Sequence, residues 1–217
     1  GGACRPQQGV VQRATDSHLA ATAVLLWAGL GGKEVMISVA HVNAAFPKYP
    51  MTVDDKGWVY GVWYCGTSWT KAGLHGQYPP TFLKRALALF PNAQRVLHCP
   101  SGTVTGPGVT VDAVVDTARR PVVQAAADNL PFPSGAFDLV LSDPPYTPKD
   151  SVRYGCPPFP LNRFVRECHR VLAHGGYLGM LHTMYPSYRR SQWALRGLIA
   201  VVTGFCRVTR VFSIFEK

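Results

Sequence analysis

Apolar positions recur along this chain in two rhythms. Thr81–Phe90 (TFLKRALALF) spaces them three and four residues apart, follows two prolines and stops at Pro91, which predicts a helix. Asn162–Leu172 repeats the helical spacing, and His174-Gly175-Gly176 behind it is a helix-ending signal. Short apolar runs at Arg95–His98, Val109–Val111, Val122–Ala127, Phe137–Leu141, Tyr177–His182 and Val208–Ile214 predict strands. Strands in series with helices between them predict an α/β fold with a mostly parallel, doubly wound sheet. A Gly- and Pro-rich segment joins the Val96 strand to the Val109 strand, and little chain follows Asp112 before the next run. A parallel crossover needs about ten or more residues, so the first crossovers are expected as loops or short turns.

The first third follows a different pattern. Leu19–Leu30 predicts a short helix. Glu34–Val42 and Trp58–Tyr64 predict strands around a turn at Asp54-Asp55-Lys56-Gly57. The pattern changes near Pro79, which divides the chain into an N-terminal extension, residues 1–74, and a main domain, residues 75–217. The extension carries Trp58, Trp63, Tyr64 and Trp69, which form either its core or a surface for stacking bases.

Composition narrows the function classes. Of 217 residues, 47% are hydrophobic and 16% charged, enough apolar material for a sizeable core and against a disordered chain. The apolar run Leu19–Leu30 is too short to cross a membrane and lacks a basic signal-peptide start. Six scattered cysteines without a C-x-x-C pair read as reduced thiols in a cytoplasmic protein rather than a zinc site or disulfide framework. His41, His169 and His182 show no ligand spacing, so no metal is assigned. The net charge is +10, and residues 151–217 hold ten basic side chains against two acidic ones. A basic third behind the chemistry described next points to a phosphate-binding surface.

The chemistry lies in Asp143-Pro144-Pro145-Tyr146, which directly follows the apolar strand ending at Ser142. Ligands of open α/β sheets bind at the carboxyl ends of strands. Two prolines stiffen the backbone and remove two donors, leaving carbonyls free to accept. This set suits a planar amine, whose lone pair is delocalised into its ring. The Asp143 carboxylate and Pro144 carbonyl can accept its two N–H hydrogens, stabilising the positive charge that develops as the nitrogen attacks a sulfonium methyl. The Tyr146 ring can stack on the base and hold it in line.

On these residues the chain resembles the class I S-adenosylmethionine-dependent methyltransferases that modify amino groups, whose signature is this tetrapeptide. The overall sequence is similar to small stand-alone members of phage and prophage type. The resemblance spans roughly residues 75–185 and implies a Rossmann-like fold with S-adenosylmethionine as cofactor. It implies cofactor contacts for the segment around Tyr78 and Pro79, for the first loop with His98, Pro100, Ser101 and Gly102, for Asp112 toward the ribose hydroxyls, and for Asp128, Asn129 and Leu130 around adenine. Arg170-Val171-Leu172 and Gly175-Gly176-Tyr177 look like a helix-to-strand passage common in that superfamily. The first loop departs from the usual acid followed by several glycines. His98 stands where the acid is expected, and either binds the cofactor or caps the strand end.

The favoured acceptor is adenine N6 or cytosine N4 in DNA. RNA, protein or a small amine keeps the same chemistry, and a non-catalytic nucleic-acid-binding module with this fold is the reading from another class. No segment is large enough for a separate recognition domain. Specificity is then expected from residues 1–74 as a possible recognition element, from Thr147–Pro160 or from a partner. Thr147–Pro160 is a candidate substrate loop, with Lys149, Arg153 and Tyr154 placed to pair with phosphate and stack on a base, or else a structural lid. Arg189 and Arg190 follow the next strand and are expected on the same side of the sheet as phosphate contacts.

Overall fold

The computed structural model describes residues 35–66, 77–115, 121–204 and 209–217. The Leu19–Leu30 helix, Trp69 and the segment of residues 71–76 lie outside them.

Among the described residues, nine strands form one sheet. In chain order they are β1 (Thr52–Val53), β2 (Val59–Tyr64), β3 (Val96–His98), β4 (Val109–Asp112), β5 (Val123–Gln124), β6 (Phe137–Ser142), β7 (Leu172–His182), β8 (Ala194–Val202) and β9 (Arg210–Glu216). Their order across the sheet is β1-β2-β8-β9-β7-β6-β3-β4-β5. The run β7-β6-β3-β4-β5 is parallel throughout, whereas β9 is antiparallel to both β7 and β8. The fold is Rossmann-like α/β, with a central mixed sheet that is mostly parallel.

Alternation along β6 shows how the sheet is covered. Every residue of Phe137–Ser142 is buried, as in a parallel strand packed on both faces. Val140 joins a core with Phe164, Cys168 and Val171 of the helix α4 (Leu161–Val171). Leu139 and Leu141 point the other way, into a core with Phe82, Ala86 and Leu89 of α2 (Phe82–Leu89) and Val42 of α1 (Val39–Ala45). Where strands cross under these layers there is no room for a side chain. A Cβ on Gly179 of β7 would lie 2.6 Å from the Phe212 ring and 2.9 Å from Leu141.

Strands β1 and β2 extend this same sheet. β2 runs parallel to β8 from Val59↔Gly197 to Tyr64↔Val202. Val59 and Trp63 point into the core, whereas Tyr60, Val62 and Tyr64 point outward. The connection from β3 to β4, residues 99–108, runs through turns without a helix.

Three expectations need correction. Of the strand expected over Glu34–Val42, the described residues 35–38 form no strand and lead into α1. The Ser38 hydroxyl caps that helix by accepting from the His41 amide at 3.2 Å, and the Ser38 amide donates to the Leu89 carbonyl at 2.8 Å. A cap and a tertiary anchor thus outweigh the β-branched composition. Gly175-Gly176 does not end a helix, because α4 passes directly into β7 at Leu172. The glycines sit where the β6–β7 pairing jumps from Phe137↔Leu172 to Leu139↔Tyr177. Gly175 there has φ of 72°, and a Cβ on Gly176 would lie 3.0 Å from two carbonyl oxygens. The supposed loop Thr147–Pro160 contains the helix α3 (Pro148–Arg153), opened by a capping box between Thr147 and Asp150. Strand β8 was not anticipated.

No described helix is long and apolar enough to cross a membrane. Cys65, Cys99, Cys156 and Cys168 are not joined in disulfides.

Candidate active site

The parallel strands β3, β4 and β6 end on one side of the sheet, and a cavity of about 200 Å³ opens there. That is more than ten times the space a single buried water needs, so it accommodates an organic ligand. Cys99 to Gly102 form one wall and Asp112 with Ala113 another. A smooth strip of Ala125, Ala126 and Ala127 leads to Asp128. Asp143 and Pro145 close the side beneath β6. Tyr154 and residues 156–160, which follow α3, form the outer cover.

Backbone and carboxylate together build the first wall. The Ser101 amide donates to the Val111 carbonyl at 2.8 Å. Gly102, at φ of 53°, donates its amide to Asp112 Oδ2 at 2.9 Å, and the Val114 amide donates to Oδ1 at 3.0 Å. The loop after β3 is thereby folded onto the end of β4. Two hydroxyls on this wall, Ser101 Oγ and Tyr78 Oη, are buried without a hydrogen-bond partner among the described residues. Buried polar atoms are rarely left unpaired, so both suit a polar ligand in the cavity.

The alanine strip is held from α4. Arg170 donates to the carbonyls of Phe132 at 2.6 Å and Leu130 at 2.9 Å, and Glu167 accepts from the Leu130 amide at 2.8 Å. Arg170 and Glu167 also pair with each other at 2.6 Å, which holds the Glu167 carboxyl below its usual range. Asp128 reaches the cavity and is paired with Arg163 at 2.9 Å.

At the tetrapeptide, burial pushes the Asp143 carboxyl up to about 6, against the opposing pull of Arg210 and of the Tyr146 hydrogen bond. The Tyr146 hydroxyl donates to Asp143 Oδ1. Burial and the adjacent carboxylate push that hydroxyl far up, so it stays a donor. Arg210 Nη1 donates to Tyr146 Oη at 3.2 Å and lies 3.7 Å from Asp143 Oδ2.

The cavity thus brings together Tyr78, Pro100, Ser101, Gly102, Asp112, Asp128, Asp143, Pro145 and Tyr154 of the residues expected from sequence. The others lie elsewhere. His98 is fully buried, and burial lowers its pKa, so its neutral ring uses Nε2 to bond the Pro107 carbonyl at 3.0 Å. It braces the loop after β3 from behind the cavity wall. Pro79 and Leu130 are buried behind the wall, and Asn129 is exposed. Pro144 is buried at the corner itself. Tyr146 is off the cavity wall. Its phenol is turned to Asp143 and its ring meets His182 with centroids 4.9 Å apart. Lys149 and Arg153 are exposed on α3.

Arg189 and Arg190 are not on this side of the sheet. The Tyr188 ring packs on Phe215 with centroids 5.0 Å apart, and the Trp193 amide donates to the Arg189 carbonyl at 3.0 Å. Ala194 then pairs with Glu216, which also pairs with Tyr177. Met180 pairs with Ser142 beside the corner, and Tyr177 lies three residues earlier, roughly 10 Å down the strand. Residues 183–193 carry the chain back to the start of β8, and the arginine pair travels with them, toward the opposite end from Asp143.

Sequence reasoning missed Arg210, Arg163 and the anchoring role of Arg170 and Glu167. A Glu three residues before an Arg on a helix was the visible signal for the last pair. Arg210 carried none, because it lies in a run read only as a strand.

Residues 102–180 match the protein family described as methyltransferase domain, over roughly a third of the chain. The matched segment runs from Gly102 through Asp112, Asp128 and Asp143 to Met180. No curated protein matches the chain. The match and the sheet support a class I methyltransferase dependent on S-adenosylmethionine, and that molecule is the cofactor. The cavity fits it: a carboxylate at the end of β4 for hydroxyls, an alanine strip for a flat ring, and two unpaired hydroxyls for its polar end.

Proposed function

We propose that this chain transfers a methyl group to an exocyclic amino nitrogen of a nucleic-acid base, most simply adenine N6 or cytosine N4 in DNA. The observation that carries this reading is the position of Asp143. Its carboxylate lies on the wall of the same cavity as Gly102 and Asp112, on the β6 side. When bound, the cofactor supplies an electrophilic sulfonium methyl.

The protein's own groups prepare the nitrogen. Asp143 Oδ2 and the Pro144 carbonyl accept the two N–H hydrogens, and the carboxylate offsets the positive charge that develops. Tyr146 takes Oδ1 and keeps the carboxylate from turning. Tyr154, on the cavity wall, supplies the aromatic face for the acceptor ring. The apolar cover at residues 156–160 keeps water from competing. A proton leaves the alkylated nitrogen after transfer, and a carboxyl near 6 accepts it transiently at neutral pH. Lys149 and Arg153, exposed on α3 beside Tyr154, are the phosphate contacts of this reading. A base inside a duplex must be flipped out to reach such a cavity, which single-stranded acceptors avoid.

The test is incubation with tritiated cofactor and a panel of DNA, RNA, protein and small-amine acceptors, with mass analysis of the product. A methylated adenine or cytosine amino group is the expected product. Label confined to protein or small amines moves the acceptor class, and label on oxygen or carbon ends the reading.

A further inference from the structure

Asp143 works in the proposed chemistry only while ionised and turned toward the cavity, yet burial opposes ionisation. Among the described residues few titratable groups lie near it, and Cys99 beside Tyr78 and Cys65 beside Arg210 are thiols that burial keeps protonated. Tyr146 belongs to the same corner, Tyr78 precedes α2, Tyr154 follows α3, and His182 of β7 meets the Tyr146 ring edge-on. Asp150 of α3 is acidic and acts on Tyr154 and His182. Burial keeps both Tyr78 and Tyr146 protonated and lowers His182, so none of these brings a positive charge. The cation that counters burial at Asp143 is Arg210, at the start of β9.

Arg210 comes from the strand that runs against its neighbours, so its first residue lies beside the carboxyl ends of β7 and β6. Its guanidinium carbon lies 5.7 Å from the Tyr146 ring centroid. One of its nitrogens reaches Tyr146 Oη at 3.2 Å and approaches Asp143 Oδ2 at 3.7 Å. The phenol in turn donates to Oδ1. Arg210, Tyr146 and Asp143 thus close a ring in which the phenol is gripped from both sides.

We propose that Arg210 is a positioning residue of this site: it clamps the Tyr146 phenol onto Asp143 and keeps the carboxylate charged and aimed at the acceptor nitrogen. This rests on the reading of Asp143 as the acceptor of the amine hydrogens. The clamp also explains why Tyr146 is withdrawn from the cavity wall. Its hydroxyl is committed to the carboxylate, and the aromatic face offered to the acceptor is that of Tyr154. Arg210 need not touch the acceptor. It acts through two side chains that do the holding.

The test reads the carboxyl directly. Carbon-13 labelling of aspartate carboxyls in the full chain, with assignment by loss of the signal in Asp143→Asn, follows the Asp143 titration without any acceptor. Arg210→Gln is expected to raise its midpoint from about 6 to above about 7, with affinity for S-adenosylmethionine unchanged by calorimetry. Arg210→Lys is expected to restore most of the midpoint, since the charge is kept. On the acceptor found by the panel, the acid limb of kcat moves up in parallel in Arg210→Gln, while KM stays near wild type. An unmoved midpoint in Arg210→Gln, or an equal rise in both variants, overturns the assignment. If Arg210→Gln fails to bind cofactor, Arg210→Lys carries the test: a severalfold lower kcat with intact cofactor affinity supports the clamp, and an unchanged kcat refutes it. The proposed acceptor chemistry fails differently: a panel without a methylated amine removes that reading while the titration still answers whether Arg210 governs Asp143.

Discussion

The Gly102 amide donates to Asp112 Oδ2 at 2.9 Å, and this one bond ties the first loop of the cavity to the end of the next strand. The loop has a single glycine in its turn, and the carboxylate supplies the order that additional backbone contacts would otherwise give. Asp112→Ala is expected to weaken binding of S-adenosylmethionine by about tenfold or more, because both the loop and the hydroxyl acceptor are lost. The cost in stability is about 1–2 kcal/mol, since two amides lose their partner. Calorimetric titration and denaturant melting check the two numbers separately.

Asp143→Asn is expected to lower methyl transfer by about a hundredfold or more while leaving cofactor affinity within a factor of about two. The amide keeps the shape but removes the charge that balances the developing cation. Label incorporation against calorimetry separates the two effects, and a variant with near-normal turnover would remove Asp143 from the mechanism.

The same substitution has a signature in stability. Burial pushes the folded carboxyl up to about 6, well above the range of a solvated aspartate, so the native state favours the protonated form. That contribution is fully present below about pH 4 and is lost as pH rises through about 6, amounting at most to about 3 kcal/mol. Relative to Asp143→Asn, the wild-type protein is therefore expected to lose stability between pH 4 and pH 7. Urea melts of both proteins across that range show the divergence.

Arg170 spans two carbonyls and one carboxylate, so its loss strands three acceptors. Arg170→Ala is expected to destabilise by about 2 kcal/mol and to weaken cofactor binding, because the segment of residues 125–132 loses its anchor. Arg170→Lys cannot reproduce the fork and is expected to recover less than half. Chemical denaturation with cofactor titration measures both.

Replacing Arg189 and Arg190 together with alanine is expected to change cofactor affinity and turnover by less than about twofold. Both side chains are exposed, and they lie toward the opposite end of the sheet from Asp143. A loss of turnover in a steady-state assay on the acceptor from the panel would contradict that placement.

Some of the site was readable in the chain and some was not, for physical reasons. Asp112 and Asp143 each follow a short apolar run, and a residue after a parallel strand is delivered to the ligand side whatever the rest of the fold does. Gly102 was legible as the turn residue of the first loop. His98, Leu130 and Tyr146 lie within two residues of the cavity wall but off it, and sequence does not say which way a side chain turns. Arg189 and Arg190 were misplaced because the chain between β7 and β8 returns along the full strand. That return is needed only because β8 is parallel to β7, and β8 had escaped the sequence reading.

What the chain alone determined is periodic and local: the apolar runs of β3, β4 and β6, the helices α2 and α4, and the rigid turn at residues 143–146. Such features follow from spacing and from proline stereochemistry, which act within a few residues. Tertiary structure decided everything that depends on who meets whom. It set β2 beside β8, anchored the Ser38 amide on the Leu89 carbonyl, fitted two glycines to a jump in register and brought Arg210 from the far end of the chain to Tyr146. Those outcomes are settled by packing and charge between residues tens of positions apart, where no local pattern carries the information.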